Sequence, residues 1–345
     1  MAKTAIIGQG YVGLPLAIGL ANAENQELIL GFDVFEKTVT NLNNGISHID
    51  DISDAELANA IKRGYRATNT PADLGLVNTI VICVPTPLHE TGEPDLSYVV
   101  SATETIAANM AKGTLVILES TTYPGTTEEL VRPILENAGF TLDVDYFLAF
   151  SPERIDPGNK NYNITNTPKI VGGSSAESTK RALAFYTQFI ETVIETVGTR
   201  EAETAKLLEN TYRHVNIALM NEMAMFCHEL GIDVWEVLDA AATKPFGYMK
   251  FTPGPGVGGH CIAVDPWFIV DAAPAEARLL RTAREVAGLA GRSPSDASLS
   301  GFLMIQQVLS ALDRQTGPSP AALRHGWNCC SPAGHGPAGR DDRSA

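Results

Sequence analysis

The chain is poor in cysteine and in positive charge, and it has no long apolar run. Five cysteines are spread over 345 residues. An odd, scattered set builds no disulfide framework, so Cys83, Cys227, Cys261, Cys329 and Cys330 are expected to be free thiols in a reducing compartment. Lys and Arg number 25 against 40 Asp and Glu, a formal net charge of −15. That excess argues against a broad surface for nucleic acid or anionic lipid, while leaving room for a local basic pocket. No stretch is long and apolar enough to cross a bilayer. The opening MAKTAIIGQG runs straight into a strand-like segment with no charged, apolar and cleavable leader, so the expectation is a cytoplasmic protein.

What is present alternates. At this length two or more domains are expected. Short β-rich runs at Thr4–Ile7, Leu28–Phe32, Thr79–Val84, Thr114–Leu118, Tyr146–Ala149, Lys169–Val171 and Thr192–Val197 are separated by amphipathic stretches. The latter include Leu14–Ala23, Ala55–Lys62, Tyr98–Met110 and Thr127–Asn137. Thr126 and Glu129 have the spacing of a capping box before the last of these. Strands alternating with helices predict a doubly wound parallel sheet of Rossmann type over residues 1–198. A helical region, 199–286, follows. Its first element is one long helix from about Glu201 to Leu230, free of internal Gly and Pro and stopped by Gly231. A helix at Val234–Ala242 and another near Ala275–Val286 complete it. From 287 to 345 the text is rich in Gly, Pro and Ser, apart from an apolar stretch at Phe302–Leu312, and is expected to be disordered. Cys329, Cys330, His325 and His335 in that tail fit no common zinc spacing, so no metal is expected.

The first strand is followed by Gly8-x-Gly10-x-x-Gly13 and then a helix. Such glycines permit a tight turn, close approach to a pyrophosphate and close helix–strand packing, with the phosphates at the helix N-terminus beside Tyr11 and Val12. The second strand ends in GFDV, and Asp33 is placed to bond ribose hydroxyls, which favours NAD over NADP. Strand ends at VICVPTP and ILESTTYPG put Thr86 and Thr121 toward the same cofactor, although either could be a plain turn residue.

A second dense motif is FTPGPGVGGHCIAVDP, residues 251–266. Four glycines and three prolines around one cysteine make either a packed turn or a holder for a reactive thiol. Cys261 and Asp265 are four apart and become neighbours only if the backbone there is helical. Lys206 and Asn210 are also four apart, on one face of the long helix, where an ammonium and an amide can steady an oxyanion. A nearby ammonium or a helix N-terminus would activate the thiol. Cys83 and Cys227 read instead as small buried hydrophobes.

GQGYVGLPLA, CVPTPL, ESTTYPGTTEE, SPERIDPGN, KIVGG, AETAKLLENTYRHVNIALMNE and PGPGVGGHCIAVDP together resemble the UDP-glucose/GDP-mannose dehydrogenase family, in particular its branch acting on UDP-N-acetylmannosamine and UDP-N-acetylglucosamine. The resemblance covers residues 1 to about 286. It implies a homodimer formed through the long helix, and oxidation of a sugar C6 alcohol to a carboxylate with two NAD per turnover, as in making polysaccharide precursors. Under it Cys261 is the nucleophile that passes through a thiohemiacetal and a thioester. Lys206 and Asn210 stabilise the oxyanion, Asp265 and Glu153 order water and the base, and Thr121 joins them. Arg154, Ile155, Lys206, Asn210, Arg213, Gly254, Gly256 and Gly258 become candidates for holding the sugar nucleotide. A β-hydroxyacid dehydrogenase shares the Rossmann-then-helices plan, but its chemistry needs no cysteine. The family's C-terminal UDP-binding domain has no recognisable counterpart after Ala287. The second expectation is therefore a truncated or frame-shifted chain that binds NAD and is catalytically silent.

Overall fold

A computed structural model describes residues 2–289, except 24–25, 90–92, 156–158, 160, 255 and 258–260. Within it, eight strands form one sheet: β1 (Ala2–Ile7), β2 (Gln26–Phe32), β3 (Tyr65–Thr68), β4 (Thr79–Ile82), β5 (Thr114–Leu118), β6 (Tyr146–Phe150), β7 (Lys169–Gly173) and β8 (Val193–Glu195). Their spatial order is β3-β2-β1-β4-β5-β6-β7-β8. The chain moves outward from β1 to β3 and then returns to the other side of β1 at β4. The switch point where such sheets bind ligands therefore lies between β1 and β4. All pairs are parallel but one, since β7 runs antiparallel to β6 through Ala149–Gly173 and Phe150–Gly172. The doubly wound parallel sheet expected from the alternating pattern is present, with this one antiparallel pair near its edge.

The helices are α1 (Gly13–Ala21), α2 (Glu36–Asn43), α3 (Asp54–Lys62), α4 (Ser97–Asn109), α5 (Arg132–Asn137), α6 (Ala176–Tyr186), α7 (Thr199–Glu229), α8 (Val234–Ala242), α9 (Cys261–Ala272) and α10 (Arg278–Leu289). The strands are apolar on both sides, as a covered sheet requires. Successive residues serve opposite faces. Ile6, Ile29, Val81, Ile117 and Phe147 pack with α1, α2, α3 and α6. Ala5, Leu30, Ile80, Val116 and Leu148 pack with α4, α5 and Ala202 of α7.

Several local expectations needed correction. β3 and α9 were not foreseen, and α2 and α6 were not among the helices named. The segment before α5 begins as a π-helical turn, Thr127–Val131, rather than a capped α-helix. Thr126 already has helical φ and ψ and donates its hydroxyl to the Tyr123 carbonyl at 2.8 Å, so no capping box forms. The orphan amides of Gly125 and Thr127 are taken up by Glu203 of α7, at 2.5 and 2.9 Å. A long-range carboxylate thus replaced the local cap. A true capping box forms at Ser53 and Glu56 before α3.

The described chain divides into two compact units, Met1–Asn210 with Val264–Pro274, and Thr211–Ala263 with the chain from Ala275 on. In the second, Met220, Ala224 and Cys227 of α7 pack with Val234 and Leu238 of α8, and Trp235 and Phe251 lie against them. Among the described residues no helix is long and apolar enough to cross a membrane. The apolar stretch 302–312 and the tail cysteines and histidines lie outside the described residues.

Candidate active site

The glycine turn closes β1 onto α1. Gly8 has φ +89°, and a Cβ there would meet the Cys83 carbonyl oxygen at 2.6 Å. A Cβ on Gly13 would fall 1.8 Å from the Gly8 oxygen. Both glycines are required by the chain's own packing. Gly10 is different, because a Cβ there would have nothing within 4 Å. Its small size leaves the space over the turn free, as a pyrophosphate lying on the turn requires. The first turn of α1 carries no side-chain cap and no acidic residue. Leu14 and Leu16 donate to the Gly10 and Val12 carbonyls and Pro15 has no N–H, so the Gly13 amide is the one in that turn left to face an anion. Val12, the residue before α1, is half-buried and Tyr11 is exposed.

Asp33 directly follows β2. Its carboxylate accepts from the amides of Gln9 and Phe35, each at 3.0 Å. Gln9 is itself buried and accepts from the Tyr65 hydroxyl at 2.9 Å, which locks the turn to β3. Thr86, after β4, donates to the Thr121 carbonyl at 2.8 Å, joining the loops that follow β4 and β5. Glycine turn, open space and ribose-side carboxylate fit NAD.

Further along the same edge, four of the expected residues come together. Lys206 is 7% exposed and donates from Nζ to the Glu153 carbonyl at 2.5 Å. Asn210, one turn on, donates to the Asp265 carboxylate of α9. Asp265 is 3% exposed. Burial pushes its pKa up to about 6, against the pull of the Lys206 charge and the Asn210 amide. It is therefore poised to exchange a proton near neutral pH. The Glu153 carboxylate accepts from the amides of Arg154 and Ile155, at 2.6 and 2.5 Å. The Arg154 guanidinium is engaged by Glu209 at 2.7 and 3.3 Å and by the Pro168 carbonyl at 2.6 Å. Thr121 is tied to Thr86 through its carbonyl and, among the described residues, makes no hydrogen bond to this group.

Arg213, Gly254, Gly256 and Cys261 belong to the second unit. There Arg213 is half-buried on α7. The Gly254 amide donates to Asn221 Oδ1 at 2.9 Å, and Gly256 has φ +137°. Cys261 is the first residue of α9, so Cys261 and Asp265 are one helical turn apart in a single element. Gly258 lies outside the described residues. Next to Arg213, His214 is buried. Burial, with the Arg284 charge adding to it, pulls its pKa down to about 4.

The motifs did not reveal Glu119, Lys169 and Tyr186, which stand behind Glu153. Lys169 approaches Glu119 Oε1 at 3.1 Å and Glu153 Oε2 at 3.7 Å. The Tyr186 hydroxyl donates to Glu119. One signal for the first two was available, in that a charge opens the apolar run of β7 and another closes that of β5. Among the described residues no group of three or more His, Cys, Asp or Glu is arranged for a metal ion.

A dinucleotide turn at the switch point with a buried acid–amide–lysine cluster beyond it is the frame of an NAD-dependent dehydrogenase. Residues 2–190 match the NAD-binding domain of the UDP-glucose/GDP-mannose dehydrogenase family, and residues 200–287 match its central domain. The chain belongs to that family, and NAD is its cofactor. It is 41% identical to the UDP-N-acetyl-D-mannosamine dehydrogenase of Salmonella typhi, over 82% of this chain and 68% of that protein. It is 38% identical to the UDP-N-acetyl-D-glucosamine 6-dehydrogenase of Pseudomonas aeruginosa, over 91% of this chain and 72% of that protein. A solved structure of a UDP-D-ManNAc dehydrogenase from Pyrococcus horikoshii superposes with a TM-score of 0.79 at 37% identity, covering 84% of this chain and 68% of the other.

Proposed function

We propose that this enzyme oxidises the C6 alcohol of a UDP-N-acetylhexosamine, of the manno or gluco series, to the carboxylate. The buried Lys206–Asn210–Asp265 group beside Glu153 is the observation that carries the reading. Similarity to enzymes named for those two sugars supports the choice of substrate. When bound, NAD accepts the hydrides that leave C6, one per cofactor molecule. Lys206 and Asn210 hold the C6 oxygen and stabilise its negative charge as the hydroxyl proton passes to the water that Glu153 and Asp265 order. The Cys261 thiolate adds to the resulting aldehyde carbon, forming a C–S bond and placing charge on the same oxygen. Loss of the second hydride leaves a thioester on Cys261. A water ordered by Glu153 and Asp265 attacks the carbonyl carbon and gives up its proton to them. The C–S bond breaks and the thiolate is regenerated.

In this reading residues 1–198 serve NAD, and residues 199–286 carry the cysteine loop and the pairing helix. Arg154, Ile155, Arg213 and the loop through Gly254 and Gly256 face the sugar nucleotide. Pairing through α7 to a homodimer is supported by an exposed stripe at heptad spacing, Tyr212 47%, Leu219 47% and Phe226 54%. An odd, scattered set of cysteines supports a reducing, cytoplasmic setting for the reaction, whose product would feed surface polysaccharide synthesis.

The test is NADH formation from UDP-N-acetylmannosamine, UDP-N-acetylglucosamine and UDP-glucose by the chain and by Cys261→Ser. Turnover of an N-acetyl sugar, abolished in the serine variant, is expected. Preference for UDP-glucose would overturn the substrate assignment. NAD binding without turnover of any sugar would favour a catalytically silent NAD-binding chain.

A further inference from the structure

Glu153 is reached from behind by a group that no step above uses. Lys169, the first residue of β7, has a side chain only 5% exposed. Its ammonium meets three oxygens, the Glu119 carboxylate at 3.1 Å, the Pro152 carbonyl at 3.2 Å and the Glu153 carboxylate at 3.7 Å. Its Nζ also lies 5.0 Å from the centre of the Tyr186 ring. Glu119 follows β5 and is fully enclosed. One oxygen takes both Lys169 and the Tyr186 hydroxyl, and the other has no hydrogen-bond partner among the described residues. Three elements distant in sequence thus converge on one buried cation.

An arrangement of this kind is poor value as a stability device, because desolvating two carboxylates and an ammonium offsets most of their attraction. Burial raises the Glu119 carboxyl, while the two carboxylates keep Lys169 protonated. What the ammonium does accomplish is geometric. It hydrogen-bonds the carbonyl before Glu153 and sets its charge 3.7 Å from Glu153 Oε2, which has no hydrogen-bond partner among the described residues and lies opposite the oxygen held by the Arg154 and Ile155 amides.

We propose that Lys169, itself fixed by Glu119 and Tyr186, is a positioning residue for Glu153: it clamps the Pro152–Glu153 corner so that the carboxylate is held ready for the hydrolytic water. The proposal rests on the reading of Glu153 as the group that orders that water. Lys169 does not touch the substrate. Removing it therefore slows thioester hydrolysis while leaving both hydride departures and sugar binding in place.

The experiment uses the full chain as wild type, Lys169→Met, Lys169→Arg and, as the mildest change, Tyr186→Phe. Amide hydrogen exchange comes first. In Lys169→Met the Arg154 and Ile155 amides should quicken on the order of tenfold more than those of Val116 in β5 and Leu148 in β6, which report the global loss of stability, and the excess should be smaller in Tyr186→Phe. Rapid mixing with NAD and UDP-N-acetylmannosamine should then show a fast burst of NADH followed by a slowed steady state, with KM little changed and partial recovery in Lys169→Arg. Unchanged exchange at Arg154 and Ile155, or a uniform rise at all four amides, overturns the clamp. So does a fall in turnover without a burst. If Lys169→Met does not fold, the same readouts in Tyr186→Phe decide. If the wild type makes no NADH from any UDP-sugar, the functional reading fails, and the exchange comparison alone decides whether Lys169 orients the corner.

Discussion

At the end of β1 the structure leaves room, and at the end of β5 it leaves none. Around Gly8–Gly13 the donors are backbone amides, the glycine between them faces open space, and Asp33 is held by two main-chain groups. Around Glu119 and Glu153 the polar groups are side chains from β7, α6 and α7, closed off from solvent and bonded to one another. The first region recognises a ligand by shape, with little of its own chemistry engaged. The second holds charges in place before any ligand arrives, as a site must if it is to stabilise charge without reorganising. A cofactor that comes and goes suits the first, and bond-breaking suits the second.

The largest way to break the contrast is to unpair the closed region. Lys169→Met leaves the buried Glu119 carboxylate without its cation, beside a half-buried Glu153, and chemical denaturation should show a loss of about 3–5 kcal/mol. In the open region the effect should split between two glycines. Gly13→Ala drives a methyl into the Gly8 carbonyl and should lose about 3 kcal/mol or more of stability along with NAD binding. Gly10→Ala should melt like the wild type and yet bind NAD at least about tenfold more weakly, or about 1.4 kcal/mol, by titration. Equal melting losses in the two variants would mean that the turn has no free space over it.

Asp265 sharpens the comparison through pH. Its folded pKa of about 6 lies above the ordinary 3.8. Its contribution to stability is therefore complete below the unfolded value and is lost as pH rises through the folded one. Asp265→Asn cannot ionise and keeps an oxygen for the Asn210 amide. Relative to wild type, the variant should gain on the order of 2–3 kcal/mol between pH 4 and pH 8, read by denaturation at each pH. A flat difference would show that the carboxylate is not held protonated. The smallest effect lies outside both regions. Ser53→Ala removes the capping box of α3 and should cost about 1 kcal/mol without altering NAD affinity.

The glycine turn, Asp33 and the long helix could be read from the text, because each is carried by residues near in sequence and by one period or one turn geometry. β3 could not. Its four residues, YRAT, are too short for a pattern and form a strand only because β2 offers them a parallel edge. The helix at Cys261 was hidden by the glycines before it and by Pro266 inside it. Pairing Lys206 with Asn210 followed from their spacing, whereas bringing Asp265 to Asn210 needed the fold. The expected box at Thr126 failed because Glu203 of α7 reached those amides first.

By itself, then, the sequence determined the family, the cofactor turn and the order of strands and helices, since those depend on local conformational preference and on the alternation of apolar residues. Only the tertiary structure decided that β7 turns antiparallel, that Asp265 is buried enough to raise its pKa to about 6, and that Glu119, Lys169 and Glu153 form one cluster. Burial and charge pairing are properties of three-dimensional neighbourhood, and residues separated by dozens of positions acquire them only when strand order places them side by side.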